Sequence, residues 1–255
     1  EVHASKVLVF RLTALPGSCL VVDMLSIFMG LVFLLLGLMA SIFSIRYMEH
    51  DTGLPEYFTL VLAMITGMVG TVFAGDFFTL FLFWELMCIS SYVLVAFRKQ
   101  TWEPVEAGFK YLIMSVSGSV LILMAIALLY GMTGTVNLAV LSGRLGGVEL
   151  TPAAERWVYF ALVLVITGFG IKASIVPLHT WLPDAHPAAP TPISALLSGV
   201  VIKTGVYALC RISFLIFPLI HFHWGILIGI ISVLTMTVGN LMALLQNDIK
   251  RILAY

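Results

Sequence analysis

Two lysines, Lys172 and Lys203, stand in the middle of long apolar segments on either side of a proline-rich stretch, and Glu85 is embedded in a third such segment. A charge at bilayer depth costs on the order of 2.5 to 3.5 kcal/mol on insertion scales, so such groups persist where they line a polar cavity, pair, or carry protons. Lys203 lies about 13 residues into its segment, or ~20 Å, and Glu85 about 8 residues, or ~12 Å, into its own; both depths fall near the bilayer midplane. On a helix Glu85 shares a face with Phe81, Cys88, Ile89 and Tyr92, an apolar setting that needs a cationic partner, and Lys172 is the candidate. At ~6 Å and an effective dielectric of ~20 the pair attraction is about 3 kcal/mol, which opposes the desolvation of the ammonium. Moving Glu85 would then switch whether Lys172 keeps its proton, and a proton arriving on Lys203 would push the next one off Lys172. Three such groups can relay protons without redox chemistry. The alternative on the same residues is a static ion pair, with Lys203 snorkelling to the interface.

The elements that must hold these residues are membrane helices. Of 255 residues, 61% are hydrophobic and only 10% charged, and the mean hydropathy is +1.10. Apolar segments at about 20–46, 55–75, 77–97, 107–131, 157–180, 190–217 and 222–246 are long enough to span a ~30 Å hydrocarbon core, which predicts an all-α integral membrane fold of about seven transmembrane helices in a single domain, 1–255. Short connections carry the expected breakers, from Asp51 to Pro55 and at Gly75-Asp76, where Asp76 reads as a helix cap. Net charge is zero, so no basic surface points to nucleic acid. Threading the helices alternately puts Arg46, Arg98, Lys99, Lys250 and Arg251 on one side and Lys6, Arg11, Arg144, Arg156 and Arg211 on the other, an even balance that does not orient the chain. The start at Glu1 without Met and the stop at Tyr255 read as a piece of a longer protein.

Cys19, Cys88 and Cys210 are far apart in apolar sequence, so neither a disulfide framework nor an iron-sulfur or zinc site is expected. His221 and His223 lack a third ligand and read as interfacial imidazoles, so no metal and no cofactor are expected in this chain. Trp102, Trp157 and Trp224 near helix ends read as belt residues.

The fifth segment is the irregular one. Lys172 is followed by Pro177, His179, Pro183, Asp184, His186 and Pro187, and Pro177 removes a backbone donor. A break at membrane depth is tolerated where protein or a water-filled cavity covers the freed carbonyls; the plain alternative is a proline kink. On the sixth segment Ala195, Gly199 and Lys203 share one face at four-residue spacing, leaving room beside the ammonium. Lys110 either snorkels or extends a proton chain toward Lys203, and Asp184 and His186 either shape a proton entrance or anchor the turn.

The block Phe83-Trp84-Glu85-Leu86-Met87, Gly170-Ile171-Lys172 running into Pro177-Leu178-His179-Thr180-Trp181-Leu182-Pro183-Asp184-Ala185-His186, the Ile202-Lys203-Thr204-Gly205 run and the stretch Asp248 to Tyr255 resemble the antiporter-like membrane subunits of respiratory complex I, Mrp sodium/proton antiporters and membrane-bound energy-converting hydrogenases. The resemblance spans about 20–255, and Ile89-Ser90-Ser91-Tyr92 is closer to the hydrogenase and Mrp branches. It implies that Glu85 and Lys172 form the regulating pair, that Lys203 is the central proton-carrying lysine, that Lys110 belongs to the relay or its entrance, and that His179 lies in the loop joining the halves of a broken helix. It further implies the first five-helix repeat of an inverted-repeat antiporter fold, with the Lys250-Arg251 loop facing the cytoplasm. The expected role is proton translocation, with sodium as a second candidate ion, beside other membrane subunits of a redox complex whose catalytic centre lies in other chains, in a prokaryotic cell (inner) membrane. The alternatives are a stand-alone Mrp-type antiporter subunit and an electrically silent scaffold.

Overall fold

The computed structural model describes residues 7–11, 18–146, 152–216 and 224–255. A two-stranded antiparallel hairpin, β1 (Leu8–Arg11) and β2 (Cys19–Val22), precedes the helices α1 (Met24–Tyr47), α2 (Leu54–Phe73), α3 (Phe77–Val95), α4 (Trp102–Thr133), α5 (Leu138–Gly146), α6 (Pro152–Lys172), α7 (Leu182–Ala188), α8 (Thr191–Leu196), α9 (Ile202–Ile216), α10 (Trp224–Leu244) and α11 (Ile249–Ala254). Among the described residues, seven helical stretches are long and apolar enough to cross a membrane: α1, α2, α3, α4, α6, the run Thr191–Leu215 and α10. Their outer faces carry large apolar side chains, such as Phe28, Leu31 and Leu35 on α1 and Ile226, Ile230 and Val233 on α10. Acyl chains solvate such a surface and water does not.

The small hairpin departs from the expected all-α chain. It is seated at one end of the bundle by Asp76, whose two carboxylate oxygens accept from the Thr79 amide at 2.8 Å, capping α3, and from the Cys19 amide at 2.9 Å. At the same end Asp23 caps α1 in a capping box with Ser26 and pairs with Arg211 on α9. Burial raises the Asp23 carboxyl, but the Ser26 amide and the Arg211 guanidinium outweigh it and hold the group below the usual carboxylate range. The opposite end is tied by Arg98, which grips Asp51 at 2.9 and 3.2 Å, and by Tyr47, whose hydroxyl lies 3.0 Å from that of Thr191.

Two departures from the expected helices bear on the site. The helix expected over 157–180 ends at Lys172. The Ile175 amide donates back to the Gly170 carbonyl at 3.0 Å and the Ser174 amide to Ile171 at 3.2 Å, the paired bonds of a Schellman close, with Ser174 in the left-handed region at φ 55°. Pro177 prevents resumption of the helix, but the stop lies before it. The Thr191–Leu215 crossing contains a π-helical turn, Leu197–Val201. The turn interrupts the segment between Ala195 and Lys203, and both of these residues are exposed, with Gly199 partly so.

Close helix contact fixes the depth of Lys172. A Cβ on Gly168 of α6 would stand 2.8 Å from the Gly118 carbonyl oxygen of α4 and 2.6 Å from Ile122 Cγ1, so only glycine permits this approach. A Cβ on Gly205 of α9 would likewise meet the Ala173 amide at 2.9 Å, just beyond Lys172. Gly168→Ala is expected to cost about 1 to 3 kcal/mol by overpacking, read as a lower midpoint in thermal inactivation of the purified protein; an unchanged midpoint contradicts the close approach. Ser174→Val places a β-branched residue at positive φ and is expected to cost about 1 to 2 kcal/mol in the same assay, whereas Ser174→Gly costs nothing there.

Candidate functional site

Lys172 is the last residue of α6 and is 1% exposed. Its ammonium donates to the Ser91 hydroxyl of α3 at 3.1 Å and to the Tyr111 hydroxyl of α4, and its Nζ lies 4.6 Å from the Tyr111 ring centroid. The two hydroxyls are 2.8 Å apart. Ser91 spends its one hydrogen on the Cys88 carbonyl at 2.8 Å, so Tyr111 is the donor between them. Tyr111 in turn lies flat on Trp181, ring centroids 4.1 Å apart at 8°, and the Trp181 indole donates to the Ile171 carbonyl at 2.8 Å. Hydroxyls, an aromatic face and a stacked indole thus replace the water that an ammonium loses on burial.

Glu85 is half-buried on α3, and its Oε1 is buried without a hydrogen-bond partner. Among the described residues no ion pair joins it to Lys172. The expected pair is therefore open: the ammonium lies on Ser91 and Tyr111 instead. Trp84, beside Glu85, is buried edge-on against Phe169 of α6 at 4.7 Å, which holds the two backbones at a fixed distance. Among the described residues, further buried polar atoms have no hydrogen-bond partner: the hydroxyls of Ser115 and Ser119, on the Tyr111 face of α4, the Ser174 hydroxyl, and His179 Nδ1. Buried groups of this kind take bridging water as partner. His179 lies in the stretch between α6 and α7, its ring centroid 6.0 Å from that of Tyr255.

A second polar cluster gathers where α4, α7 and α11 meet. Asp184 accepts from Lys110 at 3.0 Å and from Arg251 at 2.7 Å, and Lys110 also reaches Glu106 at 3.0 Å. Lys110 thus joins Asp184 at an exposed end of the bundle. His186 is 4% exposed, with Nδ1 2.7 Å from the Ser194 hydroxyl and Nε2 unpartnered, and its ring feels the charges of Lys250 and Lys203. Lys250 itself donates to the Ala189 carbonyl at 3.3 Å. Lys203 donates to the Ser198 carbonyl at 2.6 Å, a group that lies within the π turn.

The structure thus places Lys172 and Glu85 in one buried group, Lys110 and Asp184 in a second, more exposed one, and leaves buried His186, His179 beside Tyr255 and exposed Lys203 outside both. Ser91, Tyr111 and Trp181 are additions to the sequence-derived site, as are Lys250 and Arg251. One sequence signal pointed to them: Tyr111, Ser115 and Ser119 recur at four-residue spacing along an otherwise apolar helix. Among the described residues no group of three or more His, Cys, Asp or Glu converges as a metal site would require. His221 and His223 lie outside the described residues.

Comparison with known proteins matches the chain to a family. The family model described as NADH-Ubiquinone oxidoreductase (complex I), chain 5 N-terminus, matches residues 18–58. NADH-quinone oxidoreductase subunit N of Trichlorobacter lovleyi is 36% identical over 94% of this chain and 49% of its own length, and F(420)H(2) dehydrogenase subunit N of Methanosarcina mazei is 34% identical over 94% and 48%. The chain therefore spans about half the length of the curated relatives it matches. Among solved structures, a chain of the membrane-bound sulfane sulfur reductase, an archaeal respiratory membrane complex, superposes with a TM-score of 0.85 at 33% identity over 94% of this chain and 48% of that one. A chain of the Mrp complex from a Dietzia species superposes with a TM-score of 0.82 at 31% identity over 98% and 46%. Similarity thus runs to the quinone-reducing branch and to the Mrp branch alike. The transmembrane model described as NADH:quinone oxidoreductase/Mrp antiporter matches residues 74–255, which hold Glu85, Lys110, Lys172 and Lys203, and this chain is an integral membrane protein of that family.

Proposed function

We propose that the chain is a proton-translocating part of a membrane subunit in a larger redox-driven complex. The observation that carries this reading is Lys172: an ammonium buried at membrane depth, solvated by two hydroxyls and a ring, beside a carboxylate whose Oε1 has no partner. A structural ion pair would be closed, because an unpaired buried charge costs several kcal/mol. An open pair is one state of a switch. In the other state Lys172 turns to Glu85, and the cost of holding a proton nearby changes by the pair attraction.

Protons arrive from the end where Asp184, Lys110, Arg251 and His186 gather, and Lys203 is the carrier next in line. Among the described residues its ammonium is held by the Ser198 carbonyl of the same membrane crossing and can exchange that partner for water. The relatives are subunits of multi-subunit assemblies, and the same arrangement holds here, with other membrane subunits as partners and electron transfer in other chains. The proton is the primary ion and sodium a second candidate, on the likeness to the Mrp complex. The compartment is the cell (inner) membrane of a prokaryote. A scaffold reading also has an observation in its favour, the exposure of Lys203 on a helix that snorkelling alone would explain.

Proton uptake by the intact complex in sealed vesicles separates the two. Lys203→Gln is expected to slow uptake roughly a hundredfold, the contribution of one positioned proton carrier, with assembly and uncoupled electron transfer intact. Unchanged uptake would favour the scaffold. Asp184→Asn removes the carboxylate shared by Lys110 and Arg251, leaving Lys110 with Glu106, and is expected to slow uptake only about two- to fivefold, with the effect shrinking at high salt because the cluster is exposed. A salt-independent loss would place Asp184 inside the path and not at its mouth.

A further inference from the structure

We propose that Tyr111, with Ser91, is a positioning residue that competes with Glu85 for the Lys172 ammonium, and that its grip is set by the contact between α4 and α7. The proposal deepens the translocation reading and rests on it for its consequence in transport, but its geometry stands apart. An ammonium has three hydrogens; two are spent on Ser91 and Tyr111, and the ring face takes up much of the remaining charge. Lys172 carries the ammonium on a flexible four-carbon stem, and the turn between the cradle and Glu85 is a rotation of that stem.

The cradle is anchored in a way that links it to the polar cluster at the bundle end. Lys110 and Tyr111 are neighbours on α4, and each touches one residue of the segment entering α7: Lys110 reaches Asp184 at 3.0 Å, and Tyr111 stacks on Trp181 at 4.1 Å. Two contacts one residue apart on one partner and three apart on the other form a clamp. Any shift of α7 that lengthens the Lys110 to Asp184 pair also slides the indole across the phenol, and the phenol carries the hydroxyl that holds Lys172. The indole is bonded to the carbonyl of Ile171, adjacent to Lys172, so the same shift pulls on the backbone beneath the ammonium.

The test is labelling of Glu85 by dicyclohexylcarbodiimide, a probe that reaches carboxyls through the bilayer, in the intact complex in native membranes, with modified peptide counted by mass spectrometry. In the wild type, Lys172 is held by the cradle and Glu85 is labelled. Tyr111→Phe keeps the ring and its stack but removes the hydroxyl, so Lys172 turns to Glu85 and labelling falls roughly tenfold, the weight of one hydrogen bond to a charged group. Ser91→Ala, which leaves the ring untouched, lowers it in the same direction and carries the test if Tyr111→Phe does not assemble. Adding Lys172→Ala to either variant restores labelling. A wild-type Glu85 that does not react, labelling unchanged in both variants, or a loss not reversed by Lys172→Ala overturns the proposal. Labelling that shifts as expected while Lys203→Gln leaves proton uptake unchanged sinks the translocation reading and leaves the cradle standing; the converse result sinks the cradle alone.

Discussion

The constraint on which the rest depends is the desolvation of one ammonium. Lys172 is among the most fully buried side chains of a chain whose outer faces are apolar, and water must be replaced around it by fixed groups. Each surrounding element supplies one: α3 brings Ser91, α4 brings Tyr111, and the stretch before α7 brings the indole that fixes Tyr111 in orientation. The glycine contact between α4 and α6 and the seat of Gly205 against Ala173 set the depth to within a side-chain length. A site that needs atoms from three helices at hydrogen-bond distance tolerates little freedom in how those helices pack, which accounts for close backbone approach where apolar volume alone would allow larger residues.

Much of this was legible in the sequence, and the parts that were not share a physical cause. Hydropathy over spans of ~20 residues locates membrane helices because the bilayer sets their length, and Glu85 and Lys172 stand out because charge there is expensive. What hydropathy does not carry is local backbone detail. The end of α6 is a Schellman close with Ser174, not glycine, in the left-handed position, so the usual stop signal is missing and Pro177 draws the eye five residues too far along. The π turn at Leu197–Val201 leaves no mark in composition, yet its Ser198 carbonyl is the group that accepts from Lys203. The pairing of Lys172 with hydroxyls and not with Glu85 is decided by distances of a few ångströms that spacing along a chain cannot supply. Tyr111 was hidden in plain sight, since a tyrosine in an apolar helix reads as an interfacial ring unless its hydroxyl face is followed through Ser115 and Ser119.

Sequence motif and geometry agree on where chemistry is concentrated but differ on the state of the pair. The motif implies Glu85 and Lys172 as partners, while the structure holds them apart with a competing set of ligands in place. Both are satisfied if the lysine has two docking positions of comparable energy, which is what a switch requires: a ligand, a proton or a neighbouring chain can bias such an equilibrium only when the two states lie within a few kcal/mol. The proximity of Lys110 to Tyr111 along α4, and of Asp184 to Trp181 at α7, gives the exposed charges a mechanical route to the buried one. Ion pairing at the surface is individually weak, so its influence on Lys172 comes through the placement of a rigid stacked pair and not through long-range field.

The central claim is that the buried polar groups around Lys172 serve proton movement and are hydrated. The most direct measurement is an electron cryo-microscopy map of the intact complex at a resolution that shows ordered water. The account predicts water bonded to the Ser115 and Ser119 hydroxyls and to Glu85 Oε1, in a connected file that reaches Lys172 and continues toward Lys203. Dry apolar packing around these atoms, with the serine hydroxyls turned back onto their own helix carbonyls, would contradict it.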